Sequence, residues 1–218
     1  NGLFAYHPST GVASTLTVRT PDGQSSGWAG DQANDWNNIE NERIGVYAVR
    51  KCLEWRNKTA LDPGGYTVIL EPTAVGMLMR RMTGAFDARR ADEGRSYFSG
   101  ANRGENRIGE KLFDSRVSII SDPSSRDAET SPYASDGLPV KPEVWVENGV
   151  LRSLNYSRYW AEQKDTAPKS SPTNLIMLGG SSSVPDMIRS TRRGVLITRF
   201  WYIRGLNPRI ISYTGLTR

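Results

Sequence analysis

Apolar positions change their spacing along the chain, and the changes mark out elements. In "ASTLTVRTPDG" Leu16 and Val18 alternate with polar neighbours before Pro21-Asp22-Gly23, which predicts strand pieces and a hairpin in the first thirty residues. From Asn38 the period lengthens: Ile44, Tyr47, Ala48, Cys52 and Trp55 recur at three- and four-residue intervals, the spacing of one helix face. "LDPGGYTVILEP" reads as a turn and a buried strand, with Tyr66, Val68 and Leu70 on one side and Thr67 and Ile69 on the other. Pro72 then suits the first position of a helix whose apolar face is Ala74, Val75, Leu78, Met79 and Met82.

Between Gly84 and Arg107 periodicity is lost among arginines and glycines, which predicts a long loop or mobile insertion with little helix or strand, either mobile or ordered only against a partner subunit. The chain then turns β-rich. "RVSII" reads as a short strand, and "EVWVENGVLRSL" as a hairpin: Val144 and Val146, an Asn148-Gly149 turn able to take the positive φ of a type I′ turn, then Val150 and Leu151. "DTAPKSSPTN" lacks any period and reads as loop. In "SSSVPDMIRSTRRG" Ser183 caps a short helix, Pro185 and Asp186 suit its first turn, and Gly194 ends it. "VLITRFWYI" reads as one buried strand, and "TGLTR" closes the chain without a stopping element.

At 218 residues, with 37% hydrophobic and 23% charged positions, the chain is well able to bury a core and lies far from disordered compositions. It carries no apolar run long enough for a membrane span and no secretory leader in what is given, and one cysteine excludes an internal disulfide; a cytoplasmic location is expected. A net charge of +5 comes mostly from arginine, with Arg80, Arg81, Arg89, Arg90, Arg95, Arg103 and Arg107 in one stretch. A nucleic-acid surface along Arg80–Arg107 is one reading. Asp87, Asp92, Glu93 and Glu105 are interleaved there and no RNP-like or zinc-finger pattern accompanies them, which favours a solvated, ion-paired segment.

Candidate chemistry is sparse. His7 is the only histidine, lies beside Pro8, and would have to serve any Ser-His-Asp or Cys-His system. Zinc held by two histidines is impossible from this chain alone. Cys52 falls on the apolar helix stripe and reads as core. "GANRGENRIG" fits no dinucleotide fingerprint, and neither "SDPSSRD" nor "YASDG" has the carboxylate spacing of a calcium loop.

Four segments in order carry a resemblance: "GENRIGEKLFDSRVSIISDP", "YASDGLPVKPEVWVENGVLRSL", "SPTNLIMLGGSSSVPDMIRSTRRGVLITR" and "GLNPRIISYTG". Together with "NGLFAYHPSTGVASTLTVR" and "LDPGGYTVILEPTAVG", they look like the TldD/TldE (PmbA) family of metallopeptidase-related proteins. The resemblance implies an α+β fold, mostly antiparallel sheet, sandwich or barrel-like, in the C-terminal part. It divides the chain into the end of an N-terminal or middle region, residues 1–62, and a family C-terminal domain, residues 63–218. It also implies that the chain is a piece of a longer protein, with an α/β domain before Asn1 and strands after Arg218.

Peptidase-type members resembling TldD carry a helical His-Glu-x-x-x-His whose histidines hold zinc and whose glutamate activates water. Set on the shared Ala74-Val75-Gly76, the histidines fall on Pro72 and Met77 and the glutamate on Thr73. The third ligand, a cysteine in such members, would lie beyond Arg218. Glu71 as a displaced base would have no metal to act with. The resemblance is therefore to the TldE/PmbA type, with no catalytic or metal residues and no cofactor in this chain, and zinc only in a partner subunit. The implied role is to pair with itself or with a TldD-like metal-bearing relative and enclose a chamber in which unfolded peptide is processed. The alternatives are an active peptidase of the family with a rebuilt site, and the nucleic-acid reading above.

Overall fold

The computed structural model describes Gly2 and residues 4–217. The chain is α+β, and it divides into two units, one running to Gly64 together with Arg126–Glu129, the other made of Gly65–Ser125 and Thr130–Arg218. Among the described residues no helix is long and apolar enough to cross a membrane.

In the first unit β1 (Val12–Arg19) and β2 (Ser26–Ala33) form an antiparallel hairpin, as the alternation predicts, closed by a loop in which Gly23 takes a φ of 69°. Helix α1 (Asn41–Glu54) packs on β2 through Ile44, Ala48 and Cys52, while Tyr47 and Trp55 stay exposed. The buried stripe is thus the i, i+4, i+8 set alone. Small residues on β2 let the helix lie close: a Cβ on Gly27 would stand 2.1 Å from the Ala48 carbonyl oxygen.

The second unit begins with β3 (Thr67–Leu70), which leads into α2 (Pro72–Met82) and pairs in parallel with a strand far along the chain. Only Ile69 of β3 is buried and Val68 is exposed, because this two-stranded sheet is covered on one face. The short α3 (Ala88–Asp92) follows; then β4 (Ile119–Ser121), β5 (Glu143–Glu147), β6 (Val150–Leu151) and, after α4 (Arg158–Gln163), β7 (Ile176–Met177) build a four-stranded antiparallel sheet in the order β6-β5-β4-β7. Helix α5 (Val184–Ser190) precedes β8 (Gly194–Ile197), the parallel partner of β3, and β9 (Phe200–Asn207) pairs with β10 (Ser212–Thr217). Antiparallel pairing dominates, and none of these small sheets closes into a barrel.

The β5–β6 turn has φ of 49° at Asn148 and 82° at Gly149, the left-handed pair a type I′ turn needs. Its inner face does not follow simple alternation. Ile119 pairs with Val146 and Ile120 with Val144, so Trp145 is an extra residue in the ladder. That bulge turns Trp145 and Val146 into the core together and leaves Val144 exposed. The buried indole N–H is satisfied by Ser121 Oγ at 2.9 Å.

Residues 84–107 overturn the expectation of a mobile loop. Regular structure is indeed scarce there, but the segment supplies Phe86, Ala88, Ala91 and Phe98 to the main core. The Phe86 ring lies 5.0 Å from Phe98 and 5.3 Å from Trp145, centroid to centroid. Asp87 caps α3 through Arg90 N, and Ala88 N donates to Asn155 O at 3.0 Å, stitching the segment to the β6 exit. The arginines are its outer skin.

Two further expectations shift. Helix α5 has the Ser183–Asp186 capping box, yet it ends at Ser190, and Gly194 opens β8 instead of closing the helix. The run 195–203 is two strands in separate sheets, broken at Thr198-Arg199, with only Ile203 of β9 buried. Helix α4, capped by Ser157 at Trp160 N, was not foreseen, because its six residues are too few to set a period.

Candidate functional site

Helix α2 carries the positions to which the resemblance attaches metal chemistry. Glu71 N donates to Ile197 O at 3.0 Å, so β8 fixes the chain just before the helix starts, and Glu71 O accepts from Val75 N. Pro72 occupies the first helical turn at no hydrogen-bond cost, since an N–H there would have no helical acceptor. Pro72 is exposed, Thr73 and Met77 are half-buried, and Ala74 and Met79 anchor the helix inward.

Zinc does not fit this donor set. Pro72 has no side-chain donor atom, Thr73 offers a neutral hydroxyl, and the Met77 thioether is a soft, weak donor. Among the described residues no group of three or more His, Cys, Asp and Glu side chains is placed to hold a metal ion. His7 is exposed ahead of β1, and Cys52 is buried against Ser25, whose hydroxyl donates to the Cys52 carbonyl.

The arginine segment is electrostatically organised. Glu93 accepts from Arg89 Nε at 2.9 Å and from Arg95, and these two guanidinium groups hold its carboxyl below the usual carboxylate range. Arg107 pairs with Glu110 at 2.8 Å, and Arg89 lies over the Tyr159 and Trp160 rings. Beneath them Asp92 is almost fully buried, accepting from Asn106 Nδ2 at 2.8 Å and Trp160 Nε1 at 2.9 Å and ion-paired with Lys164 Nζ at 3.3 Å. Beside them a pocket of about 260 Å³ is lined by Arg81, Arg90 and Arg95 and closed by the β9–β10 hairpin through Tyr213. Burial raises the Tyr213 phenol above its ordinary pKa, and the charge of Arg81 opposes that shift.

A serine and an amine also meet, unforeseen from the sequence. Lys169 Nζ donates to Ser153 Oγ at 2.6 Å and to Glu143 Oε1 at 2.8 Å. Serine–lysine contacts activate nucleophiles in some hydrolases. Ser153 is only 4% exposed, so no substrate carbonyl reaches its oxygen, and the triad ties the residues after β6 to residue 169.

The chain is 25% identical over 176 residues to a protein named Metalloprotease from Methanothermobacter thermautotrophicus, covering 75% of this chain and 36% of that one. A solved structure from Bacteroides thetaiotaomicron, whose name proposes it as a modulator of DNA gyrase, superposes with a TM-score of 0.76 at 19% identity over 92% of this chain and 45% of its own. TldE from Thermococcus kodakarensis superposes with a TM-score of 0.68 at 20% identity, over 86% of this chain and 46% of its own. These two likenesses establish the fold. The chain thus spans about a third of that curated relative and under half of each of these solved chains. Over residues 63–217, most of its length, the chain matches the PmbA/TldA metallopeptidase C-terminal domain, and it belongs to that family.

Proposed function

We propose that the chain is the TldE/PmbA type of family member: a subunit without its own zinc that pairs with itself or with a metal-bearing TldD-like relative and helps enclose a chamber for unfolded peptide. The observation that carries this reading is the start of α2, where Pro72, Thr73 and Met77 stand at the motif positions and offer no imidazole or carboxylate. Peptide would be held by main-chain groups. The β3–β8 and β9–β10 sheets have two strands each, so each presents strand edges not used within its own sheet, and an extended peptide adds to such an edge without special side chains.

The test uses full-length protein prepared without chelator. The reading expects zinc far below one ion per chain and no hydrolysis of unfolded peptide by the protein alone. It expects at least a dimer by light scattering, and peptidase activity once a metal-bearing relative is bound. About one zinc per chain with activity in the isolated protein would replace this reading by an active peptidase with a rebuilt site. A protein that stays monomeric with and without such a relative would remove the chamber.

A further inference from the structure

Three arginines, from α2, α3 and the loop after α3, converge on one small cavity that no metal or motif argument touches. Arg81 lies in the last turn of α2, Arg90 lies in α3, Arg95 follows it, and the opposite wall is the β9–β10 hairpin with Pro208, Ile211 and Tyr213. Arg95 is already neutralised by Glu93, whereas among the described residues neither Arg81 nor Arg90 has an ion pair, and no carboxylate lines the cavity. Two uncompensated guanidinium groups facing one space form a site for a planar oxyanion, which their forked N–H groups bind in pairs.

We propose that this pocket is a carboxylate subsite that takes the C-terminal carboxylate of a bound peptide. The inference rests on the peptide-processing reading above and adds to it which end of the peptide is recognised. Two features favour a peptide terminus over a free phosphate. The Pro208 and Ile211 surfaces would cover an apolar side chain beside the carboxylate, from which a bare phosphate gains nothing. At about 260 Å³ the cavity lies just under the roughly 300–1,000 Å³ of drug-sized sites, a size for one terminal residue. The β9–β10 hairpin beside it, paired only within itself, offers main-chain groups to the residues upstream.

The probe is an N-acetylated hexapeptide ending in leucine, compared as free acid and as C-terminal amide by calorimetry on the full chain at pH 7 and low salt. The acid is expected to bind about tenfold more tightly than the amide, the scale of a charge-assisted pair. Arg81→Gln and Arg90→Gln, both at exposed side chains, should each remove most of that preference, while Arg80→Gln, outside the pocket, keeps it. Acid and amide binding equally well would overturn the subsite and leave peptide binding intact; neither binding would overturn both. Inorganic phosphate alone binding more tightly than the acid peptide, with loss in Arg90→Gln, would overturn the peptide assignment in favour of a phosphate site.

Discussion

Trp160 donates its indole N–H to the Asp92 carboxylate at 2.9 Å, joining two residues that lie 68 positions apart. Asn106 donates to that carboxylate as well and Lys164 forms an ion pair with it, so a buried charge is held by three partners from two segments, residue 106 and α4 with its C-cap. Asp92→Ala would leave the Trp160 and Asn106 donors buried without an acceptor and is expected to cost about 3 kcal/mol. Asp92→Asn keeps the volume but sets a donor against donors, and should cost about 2 kcal/mol. Urea midpoints report both. An unchanged midpoint for Asp92→Ala would mean that the carboxylate does not organise residues 92–106.

The β5–β6 turn is the second point where one atom matters. Gly149 has a φ of 82°, and a Cβ there would lie 2.3 Å from Phe113 O, while Gly149 N donates to Val117 O and its carbonyl accepts from Leu112 and Phe113. Gly149→Ala combines a left-handed penalty with a backbone clash and should cost about 3 kcal/mol. Asn148→Gly, at a φ of 49°, should be close to neutral. If thermal melts rank the two the other way, the turn is not the pivot of this sheet.

Features set by neighbours in sequence were legible from the sequence: the helix α1 with Ile44, Ala48 and Cys52 on its inner face, though not the exposure of Tyr47 and Trp55, Pro72 at the start of α2, the Asn148-Gly149 turn and the Ser183 cap. What depended on distant partners was not. Phe86 and Phe98 lie among arginines and glycines, and the core that buries them, with Trp145 against Phe86, is built from residues far along the chain. The arginine pocket was hidden in the same way, since Tyr213 closes it from the other end of the chain. The bulge at Trp145 defeated the alternation rule because one inserted residue reverses which side chains face inward.

In the first unit the contact between α1 and β2 depends on the absence of a side chain. A Cβ on Gly27 would meet Ala48 O at 2.1 Å and Cys52 N at 2.4 Å, both backbone atoms that cannot swing aside. Gly27→Ala should push the helix off the strand, open the Ala29–Ile44–Ala48 cluster and cost about 3 kcal/mol. Gly45→Ala, where a Cβ meets open space on the same helix, should instead stabilise by about 0.5–1 kcal/mol. Opposite shifts of the two melting points are the expected result; a stable Gly27→Ala protein would contradict the packing of α1 on β2.

Tyr156 makes stability depend on alkaline pH. Burial raises its phenol above the ordinary value near 10, the Asp92 charge adds to the rise, and a hydrogen bond with Asn106 partly offsets it. The folded chain therefore holds this proton more tightly than the unfolded one. The stability this contributes is complete below pH 10 and declines as pH rises from there through the folded pKa. Tyr156→Phe carries no proton to lose, so its stability curve should flatten above pH 10 relative to the parent, although Tyr213, raised in the same direction by burial, keeps some slope. Chemical denaturation at intervals from pH 8 to 11 gives the comparison, and Asp92→Asn should reduce the slope in the same sense by removing the neighbouring charge. Identical slopes in the parent and in Tyr156→Phe would show that this phenol titrates alike in both states, and would place Tyr156 in solvent instead of against Asp92.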